Sequence, residues 1–224
     1  MTMPLARPQL LIFDLDGTLI DSAVDIGRAL NDMLGEIGCA PLSQMEIKGM
    51  IGNGAATLVG RALAARPDAK IDPVQAHLRF LELYEIEPAV RTRPYPGVAE
   101  TLGMLAARDY TLAVCTNKPV RMSRLILEQL ALSRYFSRVI GGDSLPFRKP
   151  DPRMLTALLE PLDLPPDRAL MIGDSEVDAE TAHAAGVPFV LMTYGYRRGP
   201  VELINHRHAF DFFEDLTDLL RFED

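Results

Sequence analysis

The sequence is poor in the features that mark several large classes of protein. Its 224 residues include only two cysteines, Cys39 and Cys115, and four histidines. The cysteines form no CxxC or Cys–His arrangement, so we expect two free thiols, no disulfide and no zinc site. No run of about 18 apolar residues could cross a membrane, and the amino terminus lacks the apolar core of a signal sequence. We therefore expect a cytoplasmic protein without a membrane partner.

Positive charge is also scarce. Lysine and arginine total 23 against 31 acidic residues, which gives a formal net charge of −8. Proteins that bind nucleic acid depend on lysine and arginine to neutralise phosphates, so we expect no nucleic-acid partner. The 48% of hydrophobic and 24% of charged residues are ordinary for a globular protein. This composition favours a folded protein that binds a small polar molecule.

Two apolar runs end in carboxylates. Residues 10–13 lead directly into Asp14 and Asp16, and residues 169–173 lead into Asp174, with Asp178 one helical turn later. Because open α/β sheets bind ligands outside the carboxyl ends of their strands, these acids are expected at one anionic site that binds metal. An ordinary hairpin turn at Asp16-Gly17 is the alternative for the first run.

Helical and strand patterns alternate along most of the chain. From about residue 98 the order is helix, strand, helix, strand, which is typical of βαβ units. Besides the strand at 10–13, strands are predicted at about 110–115, 138–141, 169–173 and 188–192, with a short one near 209–212.

Four helices without an intervening strand are predicted between the first strand and a break at residues 93–97. The first is capped by Asp21 or Ser22 and the second begins at the capping box Ser43-Gln44-Met45-Glu46. The others are predicted at 54–65 and 73–87. The fold is therefore predicted as a doubly wound parallel sheet core, formed by residues 1–20 and 89–224, with an all-helical cap domain at 21–88.

Polar residues that could bind phosphate follow two other segments. The strand at 110–115 ends in Thr116 and Asn117, just before a helix that starts at Pro119, and a helix amino terminus beside a hydroxyl favours phosphate binding. Lys149 lies in a loop that nearby prolines stiffen, which would hold its ammonium group near the carboxylates. An ordinary helix cap and a solvated lysine are the structural alternatives.

Physical chemistry links these residues to phosphoryl transfer. Two unit charges 4 Å apart repel by about 4 kcal/mol at an effective dielectric constant of 20. Converging carboxylates therefore need a cation, above all if one of them must approach a phosphate. An oxygen-only site with retained water suits Mg²⁺.

Four segments, in this order, resemble the motifs of the haloacid dehalogenase superfamily of phosphotransferases. They are Asp14-Leu15-Asp16-Gly17-Thr18, Thr116-Asn117, Lys149-Pro150 and Gly173-Asp174-Ser175-Glu176-Val177-Asp178. The resemblance covers nearly the whole chain, including the helical cap. It implies a Mg²⁺-dependent phosphate monoester hydrolase that acts through an aspartyl-phosphate intermediate.

The resemblance also implies residue roles. Asp14 would attack phosphorus, and Asp16 would protonate the departing alkoxide and then activate the hydrolytic water. Asp14 and Asp174 would bind Mg²⁺ through side chains and Asp16 through its backbone carbonyl, with Asp178 at or just outside the direct ligands. Lys149 would take part in catalysis. The phosphoryl group would be held by Thr116, Asn117 and Lys149.

Asp16 separates branches within this superfamily. Dehalogenases carry an aromatic residue at its position, and phosphonate hydrolases carry a small residue there and use a cap lysine as a Schiff base. Asp16 argues against both, although Lys48 does lie in the cap. A non-enzymatic receiver module would have acids and a lysine on a similar sheet but no helical cap.

The cap loop narrows the resemblance to phosphoglycolate phosphatases. Residues 51–59, with the loop Gly52-Asn53-Gly54, and Thr193-Tyr194-Gly195-Tyr196 are similar to segments of that group. Glycines leave the loop backbone bare, so Gly52, Asn53 and Gly54 could bind a small ligand, although a simple turn between helices is the alternative. The favoured substrate is 2-phosphoglycolate. A phosphatase for another small metabolite such as a phosphosugar, or a phosphosugar mutase, remains open, as does the choice between monomer and homodimer.

Overall fold

The computed structural model describes residues 7–220. A sheet of six parallel strands lies at the centre of this part of the protein. The described residues contain eight strands, of which β2 and β3 form a separate pair: β1 (Leu10–Phe13), β2 (Ile20–Asp21), β3 (Arg93–Pro94), β4 (Thr111–Cys115), β5 (Arg138–Ile140), β6 (Ala169–Gly173), β7 (Phe189–Met192) and β8 (His208–Phe210). The central sheet has the order β5-β4-β1-β6-β7-β8. The predicted strands are therefore confirmed, with ends that differ by one or two residues.

Both faces of the central sheet are buried. In β1, Leu11 and Phe13 pack into the core on one face, and Leu10 and Ile12 pack into the core on the other. A parallel sheet that is covered on both sides needs apolar side chains at successive positions. This requirement explains why the strand is a continuous apolar run and not an alternating one.

Nine α-helices lie within the described residues. They are α1 (Ala23–Glu36), α2 (Gln44–Lys48), α3 (Ala55–Ala64), α4 (Pro73–Ile86), α5 (Val98–Ala106), α6 (Val120–Gln129), α7 (Arg153–Leu159), α8 (Glu176–Ala184) and α9 (Leu216–Leu219). Helices α5, α6 and α9 share a core with the Phe13 face, and α7 and α8 share one with the opposite face. The doubly wound α/β fold is confirmed.

Helices α1 to α4 lie between β2 and β3, which pair antiparallel with Ile20 opposite Pro94. The predicted break at 93–97 thus contains a short strand that the sequence pattern did not indicate. A buried carboxylate reinforces this junction, because Oδ2 of Asp25 accepts hydrogen bonds from the backbone N–H groups of Arg91 and Thr92 and from the Thr92 hydroxyl. The segments that leave and re-enter the core are therefore held together.

Helix caps follow the sequence signals with one correction. The capping box forms, since Ser43 Oγ accepts from the Glu46 N–H and the Glu46 carboxylate accepts from the Ser43 N–H. Ser22, by contrast, makes no side-chain cap at α1. Its hydroxyl donates to Asp16 instead, and Asp21 accepts from the N–H of Ala23 at 3.3 Å. Ser22 therefore occupies the N-cap position without capping through its side chain, and Asp21 accepts from the first N–H of the helix from one position earlier.

Both cysteines are free thiols, as predicted. Cys115 is buried in β4, and this burial raises the pKa of its thiol to about 12. A thiol with so high a pKa is inert and packs as a small apolar group. Within residues 7–220, no helix combines the length and apolar character needed to cross a membrane.

Candidate active site

The predicted polar residues meet at the carboxyl edge of three adjacent strands. Asp14 follows β1, Thr116 follows β4 and Asp174 follows β6, and β1 lies between β4 and β6 in the sheet. The chain winds from β1 toward β5 on one side and later from β6 toward β8 on the other. Such a reversal leaves a crevice at the strand ends where ligands bind. Sheet topology therefore brings together residues that are far apart in the sequence.

Three buried carboxylates form the floor of the site. One oxygen each from Asp14, Asp174 and Asp178 lies within 4.8 Å of the others. Burial raises the pKa of Asp14 to about 7, against the opposing effect of nearby Lys149 and with a further contribution from Asp178. Burial and the charges of Asp178 and Asp14 also raise the pKa of Asp174 well above its ordinary value. The cluster therefore resists full ionisation unless a cation joins it.

Lys149 supplies one positive charge to this floor. Its Nζ lies 2.6 Å from Oδ1 of Asp178 and 2.9 Å from Oδ1 of Asp14. Burial acts to lower the pKa of Lys149, but the charges of Asp14 and Asp178 outweigh that effect and raise it. The predicted clamp between Lys149 and the carboxylates is present in the structure.

Hydrogen bonds orient the two carboxylates beyond β6. Oδ1 of Asp174 accepts from the Thr18 hydroxyl at 2.8 Å, and Oδ2 accepts from the N–H of Tyr196 at 2.6 Å. A Cβ atom at Gly17 or Gly195 would lie within 2.4 Å of an Asp174 oxygen. Only glycine allows the backbone this close to the carboxylate. A side chain at either glycine would therefore collide with the Asp174 carboxylate.

Ser175, which precedes α8, and Lys149 hold the side chain of Asp178 in place. Its Oδ2 accepts from the hydroxyl of Ser175 at 2.6 Å and from the N–H of that residue at 3.1 Å, while Oδ1 binds Lys149. Both oxygens of Asp178 thus already interact with protein donors. The side chain is fixed between the start of α8 and the lysine.

The donor set fits a divalent cation such as Mg²⁺. Its ligand atoms are all carboxylate oxygens, the kind that hard cations prefer. Three acids face one lysine, and Oδ1 of Asp14 is buried without a hydrogen bond of good geometry, although the ammonium group lies close to it. An ion would supply the missing positive charge and a partner for that oxygen. Asp14, Asp174 and Asp178 could therefore hold a metal ion.

Thr116 and Asn117 stand beside these acids, as predicted. The Thr116 hydroxyl accepts from the N–H of Lys118 at 3.2 Å. Nδ2 of Asn117 donates to the carbonyls of Lys149 and Gly52, each at 3.0 Å, while its buried Oδ1 has no hydrogen-bond partner. Asn117 therefore links the sheet edge to the loop between α2 and α3.

Asp16 has a different set of contacts from the other acids. Nζ of Lys118 lies 3.0 and 3.1 Å from its two oxygens, and the Ser22 hydroxyl also donates to it. Lys118 in turn donates to the hydroxyl of Tyr84 on α4 at 2.8 Å. Lys118 and Tyr84 were not among the predicted site residues. Lys118 directly follows the Thr116-Asn117 motif, whereas nothing near Tyr84 in the sequence signals this contact.

A cavity of about 50 Å³ lies over the strand ends, lined from the other side by residues of α1, α3, α4 and the loop between α2 and α3. Six of the predicted site residues line it, namely Asp14, Asp16, Thr116, Asn117, Gly52 and Gly54. Asn53 is not among the lining residues, and its Oδ1 accepts from the guanidinium of Arg61 at 2.8 Å. That guanidinium also donates to the Met50 carbonyl, so Arg61 holds the shape of the loop between α2 and α3.

Comparison with known proteins agrees with this geometry. The model of the haloacid dehalogenase-like hydrolase family matches residues 11–192. A phosphoglycolate phosphatase of Cereibacter sphaeroides is 48% identical over 213 residues, which cover 94% of this chain and 97% of the relative. A phosphoglycolate phosphatase of Rhodospirillum rubrum is also 48% identical, over 221 residues that cover 96% of this chain and 92% of the relative.

A solved structure shows the same architecture. The crystal structure of a predicted phosphoglycolate phosphatase from Haemophilus somnus superposes with a TM-score of 0.92 at 33% identity, and the match covers 96% of this chain and 99% of that one. The resemblance inferred from the four motifs is therefore confirmed. The chain belongs to the haloacid dehalogenase-like hydrolase family and is a phosphoric monoester hydrolase.

Proposed function

We propose that the protein hydrolyses 2-phosphoglycolate to glycolate and phosphate, with Mg²⁺ as cofactor and an aspartyl-phosphate intermediate. One observation carries the proposal. The buried Asp14 carboxylate, paired with Lys149 and close to two further acids, lies at the bottom of a small cavity beneath helices. The relatives named as phosphoglycolate phosphatases support the choice of substrate.

In the proposed reaction, Asp14 attacks phosphorus and forms the phosphoaspartate while the bond to the leaving oxygen breaks. Asp16 donates a proton to that oxygen and then takes a proton from the water that hydrolyses the intermediate. Both side chains line the cavity. Two carboxylates in one cavity can therefore act in separate roles, one as nucleophile and one as acid and base.

Mg²⁺ would be held by the side chains of Asp14 and Asp174 and by the backbone carbonyl of Asp16, and would offset the repulsion between nucleophile and phosphate. Oδ1 of Asp178 already pairs with the ammonium group of Lys149 at 2.6 Å, whereas the oxygens of Asp174 accept from the neutral Thr18 hydroxyl and Tyr196 N–H. This favours a place for Asp178 just outside the direct ligands.

The transferring phosphoryl group would be held by three residues at the sheet edge, namely Thr116, Asn117 and Lys149. Lys149 also carries the charge that stabilises the phosphoryl oxygens, which is why we count it among the catalytic residues. Asn117 would also connect the phosphoryl-binding residues to the cap loop, because its side chain donates a hydrogen bond to the Gly52 carbonyl.

We further propose that residues 21–88 act as a cap domain on a core of residues 1–20 and 89–224. The short β2–β3 ladder and the contacts of Asp25 support this division, because they tie the two connecting segments at one place. In this proposal the loop Gly52-Asn53-Gly54 contacts the substrate when the cap is closed. A cavity of about 50 Å³ suits a small leaving group.

The test is a panel of phosphate monoesters, assayed for phosphate release with and without Mg²⁺. We expect the highest kcat/KM for 2-phosphoglycolate. A preference for a phosphosugar would contradict the substrate assignment, and formation of an isomer in place of free phosphate would identify a mutase.

A further inference from the structure

Lys118 is the feature of the cavity that the proposed mechanism does not use. Its side chain is only 4% exposed, and the cavity is lined by Lys118 together with apolar residues such as Phe80 and Leu58. Its Nζ contacts the two oxygens of Asp16 and the hydroxyl of Tyr84, and lies 4.6 Å from the centre of the Tyr84 ring. A buried ammonium group is costly unless it is paired, and Lys118 has partners in Asp16 and Tyr84 while it still lines the cavity.

Lys118 contacts Asp16, the residue proposed to protonate the leaving group. A general acid must lie within about 3 Å of the oxygen that it protonates, and Nζ of Lys118 lies 3.0 Å from Oδ1 of Asp16. The ammonium group would therefore lie within about 6 Å of that leaving oxygen, on the side of the cavity that both residues line. Lys149, by contrast, contacts Asp14 and Asp178 and is not among the residues that line the cavity.

We propose that Lys118 binds the carboxylate of the leaving group, and so selects monoesters that carry an anionic group one carbon from the ester oxygen. This inference rests on the proposed function and names the residue that gives it specificity. The ammonium group would exchange one of its contacts with Asp16 for the substrate carboxylate while Tyr84 holds it from the cap side. In a water-poor cavity, such a charge-assisted contact is strong.

The substitution Lys118→Gln tests the proposal, because glutamine can still donate a hydrogen bond to Asp16 but carries no charge. The readout is the ratio of kcat/KM for 2-phosphoglycolate to that for ethyl phosphate, which lacks the carboxylate. We expect this ratio to fall by about 10²-fold, the usual scale for removing one partner of a buried charge pair. Lys70→Gln, a matched change of an exposed lysine, should leave the ratio unchanged.

Three other results would overturn the proposal. Equal losses on both substrates would overturn the proposal and leave Lys118 as a residue that only positions Asp16. An unchanged ratio, in a protein that still prefers 2-phosphoglycolate, would overturn the proposal but not the proposed function. A wild-type enzyme without that preference would overturn both. If Lys118→Gln does not fold, Lys118→Met is measured in the same way, with the same ratio as the criterion.

Discussion

Replacement of Asp14 by asparagine should abolish turnover and at the same time stabilise the metal-free protein. The carboxyl group of Asp14 has a pKa of about 7 in the fold, against an ordinary value of 3.8. A group with a raised folded-state pKa binds its proton more tightly in the folded state. Stability that the protonated group provides at low pH is therefore lost as the pH rises from about 4 to about 7.

The size of the effect follows from that difference. About three pKa units correspond to about 4 kcal/mol of lost stability once both states are ionised. Asparagine has the same shape and no charge, so it does not suffer this loss. Between pH 5.5 and pH 8, the free energy of unfolding of Asp14→Asn should therefore rise relative to wild type by about 2 kcal/mol.

Urea denaturation in EDTA at the two pH values measures this change, and assays of phosphate release and of phosphoenzyme measure the loss of activity. Added Mg²⁺ should stabilise wild type more than Asp14→Asn, because in the proposed site Asp14 would be one of its ligands in the folded state. Asp68→Asn removes an exposed carboxylate and should keep activity and change stability by less than about 0.5 kcal/mol. A stability difference that does not vary with pH, or appreciable turnover by folded Asp14→Asn, would refute the reasoning.

Other predictions concern proton transfer, the metal and the cap loop. Asp16→Asn should lower the rate on an alkyl phosphate by about 10²–10⁴ but much less on nitrophenyl phosphate, whose leaving group needs no protonation; equal losses would contradict its role. Excess EDTA should stop turnover and Mg²⁺ should restore it, while Ca²⁺ should bind but support little activity because of its looser geometry; full activity in EDTA would contradict the metal site. Gly54→Ala should impair 2-phosphoglycolate hydrolysis more than nitrophenyl phosphate hydrolysis, since its Cβ would lie 3.2 Å from the Asn117 carbonyl. Gly38→Ala is the matched control because Gly38 also has a positive φ, would meet no atom within 4 Å and lies outside the loop; identical effects of the two changes would point to backbone strain alone.

Elements with strong local patterns were predictable. Helix α4 begins at the Pro73 that marks its first turn, and β1 coincides with the apolar run before Asp14. The β2–β3 pair was not predictable, because two residues in each strand are too few for a periodic pattern and their pairing depends on how helices α1 to α4 return the chain. The role of Ser22 was not predictable for a similar reason. Local preference predicts that its hydroxyl caps α1, but in the folded protein the hydroxyl donates to the Asp16 carboxylate.

For the site, the sequence by itself determined which chemical groups stand at the strand ends. Asp14, Asp174 and Thr116 directly follow buried strands, and parallel strands necessarily present such residues at one edge of the sheet. Only the tertiary structure decided how these groups are paired. The contacts of Lys118 with Asp16 and Tyr84 join three separate segments, and so do those that orient Asp174. Pairing of this kind depends on the distances and burial that packing creates, and no local sequence pattern encodes them.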